Sequence, residues 1–357
     1  MMYKTLIRPV LFKCDPERVH NQATTLGKIL GSNILTRKVI SKSFNYKNKK
    51  LNLEVLGIKF ENPVGLSAGF DKNANLTQIV PSVGFGFEEI GSVTGEKCEG
   101  NPKPRLFRIP ERKSIVVNYG LCNEGSERIA HKLKNKKFTF PIGVSIARAN
   151  NQDIIFDTEK GIKDYLKAYE NLKDTGDYLT INISCPNTPD NLSFCEIKNF
   201  DRLMKVFSKK EITKPILIKL KPDFSKKQID DFLEVCKKYT FIKGFVVSNL
   251  TTDRKEFDNL TQKGGLSGLP TKKKSNELIK YISTKTKGKY VLIGVGGIFN
   301  AEDAYEKIKN GASLVQLITG IIYNGPSLIK EINKGLVELL EKDGYRTISE
   351  AIGANIK

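Results

Sequence analysis

The stretch that decides the fold is Tyr178–Pro189, which reads Y-L-T-I-N-I-S-C-P-N-T-P. A β-branched, apolar run ends abruptly in S-C-P-N, because the proline cannot donate to a sheet ladder and disfavours a helical conformation before it. The pattern predicts a buried strand that displays the Cys185 thiol and the Asn182 and Asn187 carboxamides at its carboxyl end. The alternative is an ordinary Asn-Pro turn with Cys185 as a small buried hydrophobe.

Short apolar runs alternate with helical stretches through most of the chain. Strands are predicted at Pro63–Ser67, Phe87–Ser92, Pro141–Ile146, Tyr178–Ser184, Ile216–Lys221, Gly244–Ser248, Val291–Gly294 and Ser313–Ile318. Helices are predicted in the gaps, as at Ile162–Leu172, Lys227–Tyr239, Ser275–Thr284 and Ala301–Asn310. Eight βα units predict an α/β fold, the (β/α)8 TIM barrel. The competing open, doubly wound sheet lacks a G-x-G-x-x-G after its first strand.

Two segments stand outside this alternation. Residues 1–45 are predicted to form a small amphipathic helical extension. The barrel itself is predicted over residues 46–357, and a β-hairpin and active-site loop are inserted into it at about 95–137. Asp15, Pro16 and Glu17 are a strong helix start. No run approaches the roughly 18 apolar residues that a membrane span needs. A basic amphipathic helix pair predicts attachment to the membrane surface, and simple packing on the barrel is the alternative.

The charge and the cysteine and histidine content limit which partners, metal sites and catalytic residues can be expected. The net charge is +20, from 59 basic and 39 acidic residues, and residues 1–50 hold eleven basic against two acidic residues, a net +9. Nucleic acid, an anionic membrane or a generally lysine-rich composition would each account for the excess. Six cysteines without a C-x-x-C pair give no metal-site spacing, so no metal is expected. With only two histidines, neither at a strand end, a histidine acid–base mechanism is not expected.

Barrel active sites lie at the carboxyl ends of the strands. Glycine-rich ends of strands seven and eight favour a phosphate-bearing cofactor, held by backbone N–H groups and helix dipoles. Lys219 on strand five would place positive charge beside that cofactor, or alternatively pair with Asp223. Asn182, Asn187 and Asn249 suit a flat substrate with amide or imide edges, and Lys72 a substrate carboxylate.

The chain resembles the dihydroorotate dehydrogenases, in particular the membrane-associated, quinone-using class 2 type. The motifs that carry the resemblance span nearly the whole length: L-I-R-P-V-L-F-K-C-D-P-E-R-V-H, N-P-V-G-L-S-A-G-F-D-K, E-I-G-S-V-T, N-P-K-P-R-L-F-R, I-N-I-S-C-P-N-T, I-K-L-K-P-D, K-G-G-L-S-G, I-G-V-G-G-I and G-A-S-L-V-Q.

The resemblance implies oxidation of (S)-dihydroorotate to orotate in pyrimidine (UMP) synthesis, with FMN as hydride acceptor and a membrane quinone as final acceptor. Cys185 falls at the position of the catalytic base. FMN contacts fall on Ala68, Gly69, Lys72, Ser92, Ser145, Asn182, Lys219, Ser248, Gly268, Gly297, Ile318 and Thr319. Substrate contacts fall on Lys72, Asn118, Tyr119, Gly120, Leu121, Asn182, Asn187, Asn249 and Leu250. The resemblance places the protein peripherally on the cytoplasmic face of the inner membrane, on an anionic surface contacted by the N-terminal helices.

The sequence departs from the class 2 pattern at several positions. Class 2 enzymes usually carry serine where Cys185 stands, and cysteine is the pattern of the soluble class 1 enzymes. Val117 and Ser145 replace asparagines, and Leu250 replaces a threonine. Two alternatives therefore remain: a soluble class 1-type enzyme that uses fumarate or NAD, and an RNA-modifying flavin barrel such as a tRNA-dihydrouridine synthase. The second would need a basic C-terminal RNA-binding domain, so no nucleic-acid partner is expected.

Overall fold

The computed structural model describes residues 2–184, 193–255, 257 and 260–356. Its strands are β1 Leu53–Val55, β2 Ile58–Phe60, β3 Val64–Leu66, β4 Phe87–Val93, β5 Leu106–Ile109, β6 Ser114–Val117, β7 Ile142–Ile146, β8 Tyr178–Asn182, β9 Ile216–Leu220, β10 Ile242–Val247, β11 Gly265–Gly268, β12 Val291–Val295 and β13 Leu314–Leu317. Its α-helices are α1 Arg8–Lys13, α2 Pro16–Ser32, α3 Ile34–Phe44, α4 Ser126–Leu133, α5 Gln152–Ile155, α6 Thr158–Leu172, α7 Ile197–Phe207, α8 Lys226–Lys237, α9 Lys272–Thr286, α10 Ala301–Lys309, α11 Thr319–Asn324, α12 Ser327–Asp343 and α13 Ile348–Ala351.

Eight parallel strands close into a barrel in the order β3-β4-β7-β8-β9-β10-β12-β13, with β13 pairing back onto β3. This confirms the predicted fold class, and each barrel strand falls on one of the eight predicted stretches. The strands are buried along almost their whole length, since helices cover the outside and side chains fill the interior. The carboxyl ends of the eight strands therefore meet on one face of the barrel.

A small antiparallel sheet stands over that face. The hairpin β5–β6 lies within the predicted insert, and β11 extends it to three strands in the order β11-β6-β5. The sequence did not predict the pairing of β11 with β6, because the two strands are separated by about 150 residues of chain. This sheet brings the loop that follows β6 over the strand ends.

The N-terminal extension is helical and packs on the barrel. The Asp15 carboxylate accepts a hydrogen bond from the Arg18 amide at 2.8 Å, so the predicted start of α2 is confirmed. A Cβ at Gly31 would lie 3.2 Å from the backbone nitrogen of Ile79, so a glycine lets α2 approach the barrel closely. Among the described helices, none is both long and apolar enough to cross a bilayer.

Candidate functional site

Two adjoining cavities open at the carboxyl ends of the barrel strands. The first, called the glycine-side cavity, is lined by residues that include Ser248, Ser267, Gly268, Thr271, Gly296, Gly297, Ile318, Thr319 and Gly320. The second, called the lysine-side cavity, is lined by residues that include Gly69, Lys72, Ser92, Val117, Tyr119, Gly120, Leu121, Cys122 and Asn182. Ala68, Lys219, Asn249 and Leu250 line both cavities. The two cavities are therefore halves of one site.

A continuous chain of hydrogen bonds forms one wall of the lysine-side cavity. The Asn182 amide nitrogen donates to Ser92 Oγ at 2.9 Å, and Ser92 Oγ lies 2.7 Å from Ser145 Oγ. On the other side, Ser184 Oγ donates to Asn182 Oδ1 at 2.9 Å, and the Asn249 amide nitrogen donates to Ser184 Oγ at 2.8 Å. Because both ends of the Asn182 amide are engaged, its orientation is fixed. Ser145 stands behind Ser92 and lines neither cavity.

Lys219 stands where the two cavities meet. It is 4% exposed, and the strand register places it beside Asn182. Burial lowers the pKa of Lys219, while the negative charge of Glu89 opposes that shift. The alternative pairing with Asp223 does not occur, because the Asp223 carboxylate instead accepts from Lys274 Nζ at 2.6 Å. Lys219 is thus a buried cation that borders empty space, a position suited to an electron-rich ligand.

Glu89 is a buried carboxylate inside the barrel that the sequence reading missed. Its Oε2 atom accepts hydrogen bonds from the Tyr178 hydroxyl at 3.2 Å, from Thr180 Oγ1 at 3.1 Å and from Gln316 Nε2 at 3.1 Å. These neutral donors hold the carboxylate in place, and its negative charge acts on Lys219. Its signal was visible in the sequence as the acidic pair Glu88-Glu89 near the start of a predicted buried strand.

Lys72 is the cation of the lysine-side cavity. Its Nζ lies 3.9 Å from the centroid of the Tyr119 ring and 3.3 Å from His20 Nε2. Burial lowers the pKa of Lys72 to about 8, and burial together with Lys72 lowers the pKa of His20 to about 3. His20 is therefore neutral at physiological pH and does not offset the charge of Lys72, which the carboxylates of Glu17 and Asp71 favour through space. The contact joins α2 directly to the cavity.

A buried ion pair makes a second connection between α2 and the cavity wall. Arg105 Nη2 lies 2.8 Å from Glu17 Oε1, and both side chains are less than a tenth exposed. The same nitrogen donates to Cys122 Sγ at 3.5 Å, and the guanidinium lies 5.1 Å from the Tyr119 ring centroid. Cys122 lines the lysine-side cavity but was not predicted as a site residue, since nothing in its local sequence marks it.

The loop after β6 carries four of the predicted substrate contacts, and three of them line the lysine-side cavity. Tyr119, Gly120 and Leu121 line the lysine-side cavity. The Asn118 side chain does not line it, because its Oδ1 accepts a hydrogen bond from the Asn101 amide nitrogen at 2.9 Å. Cys185 and Asn187 lie outside the described residues, so the structure does not describe the predicted base or that substrate contact.

The glycine-side cavity has the features of a phosphate site. Gly268, Gly296 and Gly297 have backbone φ values of +93°, +111° and +69°, which residues other than glycine rarely adopt. Ser267 Oγ and Thr319 Oγ1 lie 2.8 Å apart at its edge. Backbone amides of such loops, together with hydroxyl groups, bind phosphate well. A glycine cradle that continues into a cavity bordered by a buried lysine fits a flavin nucleotide.

The chemistry of the site residues bears on the kind of cofactor that they could hold. Among the described residues there is no cluster of three or more His, Cys, Asp or Glu side chains able to hold a metal ion. The polar groups of the site are instead amides, hydroxyls and lysines. These are groups that hold organic anions and heteroaromatic rings.

Comparison with known proteins gives a consistent result. Residues 50–340 match the family model described as dihydroorotate dehydrogenase. The chain is 42% identical to a protein of Christiangramia forsetii named dihydroorotate dehydrogenase (quinone), covering 94% of this chain and 99% of that one. It is 36% identical to a protein of the same name from Trichodesmium erythraeum, covering 99% and 98%. Its fold is similar to the crystal structure of an Eimeria tenella DHODH in complex with ferulenol, with a TM-score of 0.81, 26% identity and 96% of both chains covered.

Proposed function

The chain belongs to the dihydroorotate dehydrogenase family, and we propose on this basis that it oxidises (S)-dihydroorotate to orotate in pyrimidine synthesis and passes the electrons to a quinone. The observation that carries the proposal is the pair of adjoining cavities, with a glycine cradle on one side and Lys72 with the carboxamides on the other. Lys219 stands at their boundary. The arrangement suits a flavin nucleotide beside a small, flat carboxylate.

Members of this family depend on a flavin, and we propose FMN for this chain. The residues that would hold it are Ala68, Gly69, Lys72, Ser92, Asn182, Lys219, Ser248, Gly268, Gly297, Ile318 and Thr319, whereas Ser145, which lines neither cavity, would act only by holding Ser92 in place. When bound, FMN supplies the hydride acceptor for C6 of the substrate and the electron donor for the quinone. Lys219 would stabilise the negative charge that accumulates when a flavin is reduced, because it is a buried cation with no carboxylate in direct contact among the described residues.

The substrate would bind in the lysine-side cavity. Lys72 offers its charge to the carboxylate, and Asn182 and Asn249 offer amide donors and acceptors to the ring edge. Tyr119, Gly120, Leu121 and Leu250 would exclude water from the opposite side. Asn187 is proposed as a further contact, and the hydrogen bond that Asn118 accepts from Asn101 favours a supporting role for Asn118.

Cys185 is proposed as the general base. Its thiolate Sγ takes the proton from C5 of dihydroorotate while the hydride leaves C6, so the C5–C6 bond becomes a double bond. A thiol with an ordinary pKa of about 8.5 is easier to ionise than a serine hydroxyl. We expect Cys185→Ala to keep its bound flavin but to reduce it at least ~100-fold more slowly with dihydroorotate, as for the loss of a general base. Unchanged flavin reduction in this variant would rule the assignment out.

The electron acceptor is proposed to reach the site from the membrane. Of the eleven large hydrophobic side chains that are exposed in the described part of the chain, nine lie between residues 2 and 39. The same segment belongs to the most basic region, with a net +9 over residues 1–50. Apolar and basic groups together favour peripheral attachment to an anionic bilayer surface, here the cytoplasmic face of the inner membrane.

The decisive experiment is anaerobic mixing of the purified protein with dihydroorotate, followed through the visible absorption of oxidised flavin. Bleaching that is reversed by a quinone, but not by fumarate or NAD, is the expected result. Reversal by fumarate or NAD would favour the soluble class 1 type, which the cysteine at position 185 resembles. A flavin that does not bleach would overturn the proposed substrate.

A further inference from the structure

Lys307 is a fully buried lysine that the proposed reaction does not use. It lies on α10, is 0% exposed, and its Nζ donates to Ser275 Oγ at 2.9 Å and to Asn276 Oδ1 at 2.7 Å, both on α9. Both acceptors are neutral. A buried charge without a bonded carboxylate is costly, so its presence calls for a compensating interaction.

The carboxylates nearest to Lys307 are engaged elsewhere. Asp303 and Glu306, on the same helix, lie 2.5 and 3.3 Å from Lys272 Nζ. Burial, the largest effect, lowers the pKa of Lys307 to about 7; the positive charge of Lys272 acts in the same direction, and the negative charges of Glu306 and Asp303 oppose it. The site therefore has the capacity to gain a full positive charge when an anion binds nearby.

A single hydroxyl group connects Lys307 to the glycine-side cavity. Ser275 Oγ donates to the carbonyl oxygen of Val295 at 2.7 Å, and the carbonyl of Val247 lies 3.2 Å away. Val295 directly precedes Gly296 and Gly297, which line the cavity. The aliphatic part of the Lys307 side chain packs against β12, the strand that contains Val295, since a Cβ on Gly294 would lie 3.2 Å from Lys307 Cδ.

We propose that Lys307 is a positioning residue for the phosphate group of the flavin, acting from behind the cradle without touching it. Its ammonium group polarises the Ser275–Val295 hydrogen bond and adds a positive potential beneath the amides that begin the cradle. Because Lys307 and Ser275 are both fully buried, this potential is only weakly screened. The inference rests on the proposed function, because it presumes a phosphate-bearing flavin in the cavity.

Riboflavin, which is FMN without the phosphate, provides the test. Full-length protein is dialysed to equilibrium against FMN or riboflavin, and the two dissociation constants are compared for the wild type, Lys307→Met and the control Lys280→Met. Lys280 is an exposed lysine on α9, so the control removes the same charge from a solvated position. We expect Lys307→Met to weaken FMN binding roughly tenfold, as a charge interaction across a dry interior would, and to leave riboflavin binding unchanged.

An equal loss for both flavins would show that Lys307 only holds α9 to α10, and undiminished FMN binding would overturn the inference directly. A wild type that binds neither flavin would instead refute the proposed function. Proton uptake by the wild type gives a second readout that needs no variant. At pH 8, where Lys307 is mostly neutral, FMN binding should take up more protons than riboflavin binding, and an equal uptake would contradict the inference.

Discussion

At the scale of single residues, Lys72 shows how a charge is kept available for a ligand. Its two close neighbours are an aromatic ring and a histidine that stays neutral because its pKa is about 3. Neither neighbour neutralises the ammonium group. A substrate carboxylate entering the lysine-side cavity would therefore meet a cation that has already lost most of its water.

The pKa of about 8 gives Lys72 a measurable signature. The cationic form dominates below pH 8 and is lost above it, so the affinity of the oxidised protein for orotate should fall as the pH rises through 8. Lys72→Met should bind orotate more weakly, by about 1.5–3 kcal/mol for the lost charged contact, and without that pH dependence. Titration of the flavin spectrum with orotate on both sides of pH 8 measures both effects. The exposed Lys97→Met is the control, and the same pH profile in Lys72→Met would contradict the assignment.

Glu88 is a second residue whose environment is unusual. It is fully buried beside Asp71, and burial together with that carboxylate raises the pKa of Glu88 well above its ordinary value. Asp71 also has a raised pKa, again mainly through burial, although the amides of Leu76 and Asn75 oppose it. Two carboxyl groups in one buried space favour the protonated form of at least one of them.

The variant Glu88→Gln should stabilise the protein at neutral and alkaline pH. Glutamine resembles the neutral acid, whereas the wild type loses stability as the pH rises above the ordinary carboxyl range, because the unfolded chain ionises first. We expect a gain of about 1–3 kcal/mol in the free energy of unfolding at pH 8, shrinking towards zero near pH 4. Denaturant unfolding at the two pH values tests this. A gain of equal size at both would show that packing, and not ionisation, is responsible.

At the scale of secondary structure, the strands of the barrel could be predicted from the sequence, whereas the contacts between residues far apart in the chain could not. Strand positions follow from local apolar runs and the residues that end them, as at β3, predicted at Pro63–Ser67 and found at Val64–Leu66. By contrast, the contact between His20 and Lys72 joins residues 52 positions apart, and no local pattern encodes it. The sequence reading also placed Asn118 in the site, whereas the structure turns its amide towards Asn101.

The ion pair between Glu17 and Arg105 fixes α2 to the loop before β5, and its two members are not equivalent. Arg105 also donates to the backbone carbonyls of Glu99 and Asn101, whereas Glu17 has, within the described part of the chain, only Lys103 as a second cation, with its Nζ 3.6 Å from Glu17 Oε1. Arg105→Met should therefore destabilise the docked α2 by about 3–5 kcal/mol, and Glu17→Gln by less.

Hydrogen exchange of the α2 amides measures this difference. The double variant should lie between Glu17→Gln and Arg105→Met, because it leaves no buried carboxylate unpaired but removes the hydrogen bonds that Arg105 donates to the carbonyls of Glu99 and Asn101. Glu61→Gln, which breaks a solvent-exposed pair with Lys47, should leave α2 exchange unchanged. Equal effects of the two single variants would contradict the proposed asymmetry.

At the scale of the whole molecule, α2 has two faces with different surroundings. One face carries Glu17 and His20 against the wall of the lysine-side cavity. The other exposes Leu26 and Ile29, which are 56% and 61% accessible. Deletion of the N-terminal helices would therefore remove part of the cavity wall together with the proposed membrane contact, so a point substitution on the outer face is the cleaner test of attachment.

The double variant Leu26→Glu/Ile29→Glu should weaken binding to vesicles of anionic lipid, because it replaces apolar surface by negative charge while leaving the inner face of α2 intact. Binding of the wild type should also fall with added salt. Bleaching of the flavin by dihydroorotate should be unaffected, and so should turnover with a water-soluble quinone, whereas turnover with a quinone embedded in vesicles should decrease. Phe156→Glu, at an exposed apolar position (58% accessible) outside the N-terminal helices, is the matched control. If vesicle binding and turnover with embedded quinone survive in the double variant, the outer face of α2 is not the attachment surface, and the apolar side chains of α1 and α3 become the surface to test.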